Sequence, residues 1–205
     1  YKVQGNTITL KTNYRSTVPI QKLASDYSAL CKIHDPNVNS QAFIPGPIPE
    51  LIIADSNNKA YNEILKKISW CKYNLEFEFK DICVVTINSD ELSKLHSLLS
   101  VKDIPSNIIE SADFDFKKDD NSIRLSTIKY IKGIDFPILI LFLSEKLINK
   151  KLNGNMDSNI QMNCVYACIT RAMDLLYVIT TKEVANMHKI DKKTPIAYLI
   201  HLMSQ

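Results

Sequence analysis

Three clusters of side chains in this chain have types and spacing that could do chemistry: Asn13-Tyr14-Arg15-Ser16, the stretch Ser126–Asp135, and Arg171 within Asn163–Thr181. A guanidinium keeps its proton in any protein environment, so it must find an anion or stay wet. Arg171 lies in a largely apolar segment, NCVYACITRAMDLLYVITT, whose one other charge is Asp174. Left buried and unpaired there, it would cost roughly 3–5 kcal/mol. Two readings are open. Arg171 either pairs with Asp174 at i+3 or reaches the surface, or it points out of the domain at a phosphate. The other clusters carry plain readings as well. Tyr14 can be a packing aromatic and Arg15 a surface charge at a helix start. Lys129 and Lys132 can line a solvated loop, and Gly133 can be a turn glycine.

Several chemistries are excluded by spacing. None of the four glycines is followed by lysine, so no G-x-x-x-x-G-K-[ST] phosphate cradle occurs. There is no H-E-x-x-H, no nucleophile elbow and no zinc-type cysteine spacing. Cys164 and Cys168 stand one helical turn apart with no His or third Cys nearby, and they read as packing thiols, with no metal site expected. The acidic pair Asp90-Glu91 follows an apolar strand, but Asn88 and Ser89 intervene. The pair suits a helical first turn, not a metal-binding strand end.

The elements that must position these clusters are legible from periodicity. Strands are expected at Thr7–Leu10, Leu51–Ala54, Asp81–Ile87, Ile104–Glu110 and Ser122–Ile128. Two more are expected at Ile138–Leu143, the most apolar, and at Leu175–Thr181. Helices are expected from Val18 to Leu30, capped by Ser16 or Thr17 with Pro19 in the first turn, and from Ala60 to Tyr73. Another is expected after a Ser89 cap, with Leu92, Leu95, Leu98 and Leu99 inward. The segment from Asn163 to Met173 suits a helix, and Val184–Gln205 suits one or two short helices with Pro195 between them. Lys32–Pro49, Asp113–Asn121 and Glu145–Gln161 read as connections. Strands alternating with helices predict an α/β domain, with a mostly parallel sheet flanked by helices, as one unit over residues 1–205.

Composition sets the outer bounds. Hydrophobic residues make up 45% of the 205 residues, enough for a full core. The net charge of +3 neither demands nor excludes nucleic acid. The longest apolar run, Phe136–Leu143, is too short to span a bilayer, so no membrane partner is expected. Five cysteines without a CxxC pair fit a reducing cytoplasm. The first residues, YKVQGNTITL, do not resemble a signal peptide, and the missing initiator Met suggests a piece of a longer chain.

Taken in order, the three clusters resemble a known family, the second RecA-like motor domain of superfamily 1 helicases of the UvrD/Rep/PcrA type. LKTNYRST at 10–17 is similar to that family's motif IV. STIKYIKGIDFPILILF at 126–142 resembles motif V, and VYACITRAMDLLYV at 165–178 resembles motif VI. DICVVTINSDELSKLHSLLSVKDIP at 81–105 looks like the strand–helix segment between them. The resemblance implies a RecA-like, P-loop NTPase-type fold and a C-terminal motor domain acting with ATP and Mg2+, both bound mainly by an N-terminal P-loop domain not contained in this chain. It implies that Tyr14 stacks on adenine and that Arg15 and Arg171 reach the γ-phosphate. Gly133 would allow close backbone approach to the nucleotide, and Asp135 would take the ribose-binding place. Thr127 and Lys129 would contact single-stranded DNA. Such a protein would work in DNA transactions such as repair, and this chain alone would not hydrolyse ATP.

The chain departs from the pattern in three ways. Lys129 stands where the family usually has His, and Asp135 where it has Glu. The spacing between the motifs leaves no room for a large inserted subdomain. A rival reading is a non-enzymatic, degenerate RecA-like module that binds nucleic acid or protein.

Overall fold

The computed structural model describes residues 12–33, 41–109, 120–131, 133–144, 158–190 and 195–204. The expected strand Thr7–Leu10, most of Asp113–Asn121, most of Glu145–Gln161, and Lys132 fall outside the described residues. In chain order the elements are β1 Thr12–Asn13, α1 Val18–Cys31, β2 Gln41–Ala42, β3 Glu50–Ala54, α2 Asn57–Tyr73, β4 Ile82–Thr86 and α3 Ser89–Ser100. They continue with β5 Ser106–Ile109, β6 Ile123–Thr127, β7 Phe136–Leu143, α4 Ser158–Ile169, β8 Ala172–Thr181, α5 Lys182–Ile190 and α6 Pro195–Met203.

Six strands form one sheet in the order β3-β8-β7-β4-β6-β5, and every neighbouring pair is parallel. A small parallel ribbon joins β1 to β2. Because side chains alternate across a strand, the run FPILILFL feeds both faces of the sheet. Leu139, Leu141 and Leu143 enter a core with α1, α4 and α6, among them Ile20, Tyr27, Val165 and Leu199. Ile138, Ile140 and Phe142 enter a second core with Ile64 and Ile68 of α2 and Leu95 and Leu99 of α3. Burial on both faces is why β7 reads as a continuous apolar run and not as an alternating one. The α/β class and the mostly parallel sheet expected from the sequence are what the chain adopts.

Local chemistry explains where the boundaries differ from expectation. Asn88, not Ser89, caps α3: its side chain accepts from Glu91 N at 3.1 Å. The buried Glu91 carboxylate in turn accepts from Ile87 N at 3.2 Å. The acidic pair is therefore spent on a helix start. Thr17 is the cap residue of α1, but its side chain makes no capping bond. Helix α2 begins at Asn57, ahead of the expected Ala60, because Ser56 accepts from Lys59 N. Pro195 does not separate the last two helices; it is the first residue of α6, where a missing N–H costs nothing.

The largest correction concerns the segment around Arg171. Helix α4 stops at Ile169 and β8 starts at Ala172. Arg171 therefore occupies the turn between them, not a helix interior. The β-branched and apolar run that follows pulls Ala172 onward into the sheet, ending the helix earlier than small residues alone would suggest.

Candidate functional site

The site is built at the edge of the sheet where β7 and β8 begin. Asp135 immediately precedes β7 and Arg171 immediately precedes β8, whose first residues Phe136 and Ala172 are register partners. Phe136 N donates to Arg171 O at 2.9 Å, which fixes the two strand starts against each other. Arg171 N donates to Cys168 O at 3.0 Å, closing the turn off α4. The start of α1 is tied to the same place, since Thr17 N donates to Met173 O at 3.0 Å.

Asn13 aims the first cluster. Its side-chain oxygen accepts from Arg15 N at 2.8 Å and from Ser16 N at 3.4 Å, an Asx-type turn. Its amide nitrogen donates to Ser16 Oγ at 3.1 Å and Gln21 Oε1 at 2.6 Å, locking the turn to α1. Sequence reasoning placed Asn13 in the cluster but missed this positioning role. The signal was present, because an Asn three residues ahead of a Ser at a helix start is the pattern of such turns.

With the backbones fixed, two guanidinium groups converge on one carboxylate. Arg171 Nη1 donates to Asp135 Oδ1 at 3.0 Å. Arg15 Nε lies 3.1 Å from Asp135 Oδ2. The Arg171 side chain is mostly buried, at 19% exposure, while Arg15 keeps half its surface in solvent. Arg171 Nε is buried and has no hydrogen-bond partner among the described residues. Two cations facing one anion leave a net positive charge and an unused donor, an arrangement that suits a further anion. Of the readings left open for Arg171, the ion pair with Asp174 is not made; the guanidinium takes Asp135 instead. Burial raises the Asp174 carboxyl above its ordinary value, and Asp81 nearby adds to the effect.

The other candidates divide between this edge and the opposite one. Tyr14, next to Arg15, is 74% exposed, so it is not a packing aromatic. Gly133 has φ +85°, and a Cβ there would meet nothing within 4 Å, so conformation and not crowding favours glycine. Thr127 closes β6 at the far edge, paired in register with Thr86 at the end of β4. Lys129 follows it, with Nζ 3.3 Å from Tyr130 Oη and 4.9 Å from the ring centroid. Thr127 and Lys129 thus lie where strands end and Asp135 where they begin, about one strand length apart.

The cysteines pack. Cys83 and Cys168 are fully buried in one core, and desolvation pushes both thiols up. No group of three His, Cys, Asp or Glu side chains that could hold a metal occurs among the described residues. No helix among them is long and apolar enough to cross a membrane.

Against this geometry, a family model described as the UvrD-like helicase C-terminal domain matches residues 8–119. That span contains the Asn13–Ser16 cluster and ends before the other two. The C-terminal domain of a possible DNA helicase from Lactobacillus plantarum WCFS1 has a similar fold. The TM-score is 0.59 at 13% identity, over 83% of this chain and 88% of that one. The Sulfolobus solfataricus SWI2/SNF2 ATPase core, solved in complex with double-stranded DNA, overlaps 95% of this chain and 37% of that one. Its TM-score of 0.47 at 15% identity carries no weight here. No curated protein matches.

Proposed function

The chain belongs to the UvrD-like helicase C-terminal domain family, a helicase-type motor domain, and from that premise we propose that it completes an ATP site whose phosphate-binding loop lies on a partner N-terminal domain. The observation that carries this reading is the convergence of Arg15 and Arg171 on Asp135 beside an exposed tyrosine. Phosphoryl transfer develops charge on phosphate oxygens, and positioned cations lower its barrier. Arg171 is the better-placed cation, because its backbone is held by β7 and α4 and its Nε has no competing acceptor.

The remaining roles follow from position. The Tyr14 ring offers a face to adenine. Asp135 has both oxygens engaged, yet each keeps a second lone pair that can accept from a ribose hydroxyl. A side chain at Gly133 would meet nothing within 4 Å, so its backbone is open to a ligand. Mg2+, when bound, would sit with the phosphate-binding loop on the partner domain and neutralise charge there; no residue of this chain is assigned to it. Thr127 and Lys129, on the opposite edge, would meet the backbone of single-stranded DNA. Residues 128–135 join the two edges, so a change at the ATP-facing end can be felt at the DNA-facing end. In this reading the chain supplies one wall of each site, and the motor needs the partner domain to turn over.

The test is Arg171→Ala in a motor that joins this chain to its P-loop domain. DNA-stimulated ATP hydrolysis should fall by at least about a hundredfold, toward the range of arginine fingers. Turnover near the parent's value would sink the arginine assignment. It would favour a domain that binds without catalysing.

A further inference from the structure

Helix α2 presents a second face that the motifs do not explain. Its inner side, Ile64, Ile68 and Cys71, is fully buried. Its outer side lines an open groove of about 680 Å³ with Lys59, Lys66, Trp70, Tyr73 and, from the turn after α3, Lys102. Trp70 is the chain's only tryptophan, and it is 49% exposed on a helix with a complete apolar inner face. Tyr73, one turn further on, is 73% exposed. Large aromatics left in water next to each other mark a contact surface more often than chance.

Charge says which kind of contact. The groove is lined by three lysines and one acid, Glu63, which is tied to Lys66 at 2.7 Å. Lys102 makes no ion pair among the described residues. An apolar protein partner would not call for these lysines, and an acidic one would not call for stacked aromatics. Flat rings spaced along a cationic groove match the two halves of a nucleotide, base and phosphate.

Position gives the groove a route. Helix α2 follows β3 and runs back along the sheet, so its Lys59 end lies at the edge where the parallel strands finish, the edge that holds Thr127. The helix packs on the face of the sheet opposite α1 and α4. Its 17 residues span about 25 Å, room for about four nucleotides of single strand.

We propose that the α2 groove is a second contact site for single-stranded nucleic acid, with Trp70 and Tyr73 stacking on bases and Lys59, Lys66 and Lys102 meeting phosphates. It uses none of the motif residues and stands independently of the ATP-site assignments.

Trp70 is its own reporter. The 205-residue chain is titrated with a thymidine homopolymer of about 16 nucleotides while tryptophan emission and the anisotropy of an end-labelled copy are followed. The expected result is saturable quenching that weakens with salt. Tyr73→Ala should weaken binding about 5- to 150-fold, the range of one lost base stack. Lys59→Ala with Lys102→Ala should make the slope of log K against log salt less negative by about 1.4. All these positions are exposed, and unchanged circular dichroism would show that the variants fold. Rising anisotropy with constant Trp70 emission would place the strand elsewhere and overturn the groove, while leaving the motor reading intact. Quenching that Tyr73→Ala and the lysine pair leave unchanged would overturn it too. So would concentration-dependent burial of Trp70 without oligonucleotide, seen with dimers in sedimentation, because that assigns the face to a second copy of the chain.

Discussion

Arg171 is held by Asp135, its neighbour across the start of the sheet, and not by Asp174, its neighbour in sequence. Nη1 donates to Oδ1 at 3.0 Å, and the strand starts that carry the two residues are themselves hydrogen-bonded. Arg15 takes the other oxygen of the same carboxylate. The two cations of the proposed ATP site are thus stored on one internal anion, which both keeps them solvated by a charge and limits where they can swing.

This geometry makes the Arg171–Asp135 pair energetically coupled. A double-mutant cycle with Arg171→Ala and Asp135→Ala, read by urea unfolding, should give an interaction energy of about 0.5–2 kcal/mol. The same cycle with Arg15 should give less than about 1 kcal/mol, since that guanidinium is half in solvent and screened. Equal coupling for the two arginines would contradict the difference in burial.

Gly46 guards the approach of the loop before β3 to the first cluster. Val18 N donates to Ile44 O at 2.8 Å, and a Cβ at position 46 would fall 2.6 Å from Thr17 Cβ and closer still to its Cγ2. Thr17 is buried and pinned to Met173, so it has little room to yield. Gly46→Ala should therefore cost about 1–3 kcal/mol, the usual range for overpacking. Thr17→Ala in the same chain should recover part of the loss by removing Cγ2. Differential scanning of the two variants reads both outcomes, and a neutral Gly46→Ala would mean that the loop moves away freely.

Acid should weaken the chain through Asp120. The Ser122 hydroxyl and the Arg124 guanidinium, at 2.6 Å, hold its carboxyl below the ordinary range, with burial opposing them in part. A carboxyl whose folded pKa is depressed contributes stability above its unfolded value of about 3.9, and that contribution is lost as pH falls through the lower folded value. Arg124 is almost wholly buried at the start of β6, so the loss is felt in the sheet. The destabilisation caused by Asp120→Asn should be constant from pH 7 to about pH 5 and shrink below about pH 4. Urea unfolding at stepped pH measures it; a penalty independent of pH down to 3 would show that the pair carries no linkage.

Much of the fold was legible because its signals are local. Helix α1 announced itself through Ile20, Leu23, Ala24 and Tyr27 at helical spacing, all of them buried. The run at β7 was apolar enough to require two covered faces. Caps were read less well. Ser89 and Asn88 are both good caps, and only the backbone path decides which side chain faces the free N–H of Glu91. The end of α4 was misread because Ala172 and Met173 are good helix formers, and the pairing of β8 with β7 overrides that preference.

The candidate site was legible as a set of residue types and not as a place. Tyr14, Arg15, Asp135 and Arg171 stood out in the chain, but nothing in their spacing said that they share an edge. Nor did it say that Thr127 and Lys129 lie on the other one. Trp70 and Tyr73 drew no notice, although both fall off the apolar face of α2 at helical spacing.

By itself, then, the sequence determined the α/β class, the alternation of strands and helices, the two-faced burial of β7, and the family whose C-terminal domain it matches. The first three are properties of periodicity and composition, which short windows of chain contain in full; the family resemblance rests instead on the motif-like segments at 10–17, 126–142 and 165–178. The tertiary structure alone decided the strand order, the partner of Arg171, and the placing of the candidate residues at two ends of the strands. The reason is physical: a guanidinium takes whichever anion the fold brings within 3 Å, and strand register across the sheet, not distance along the chain, sets which one that is.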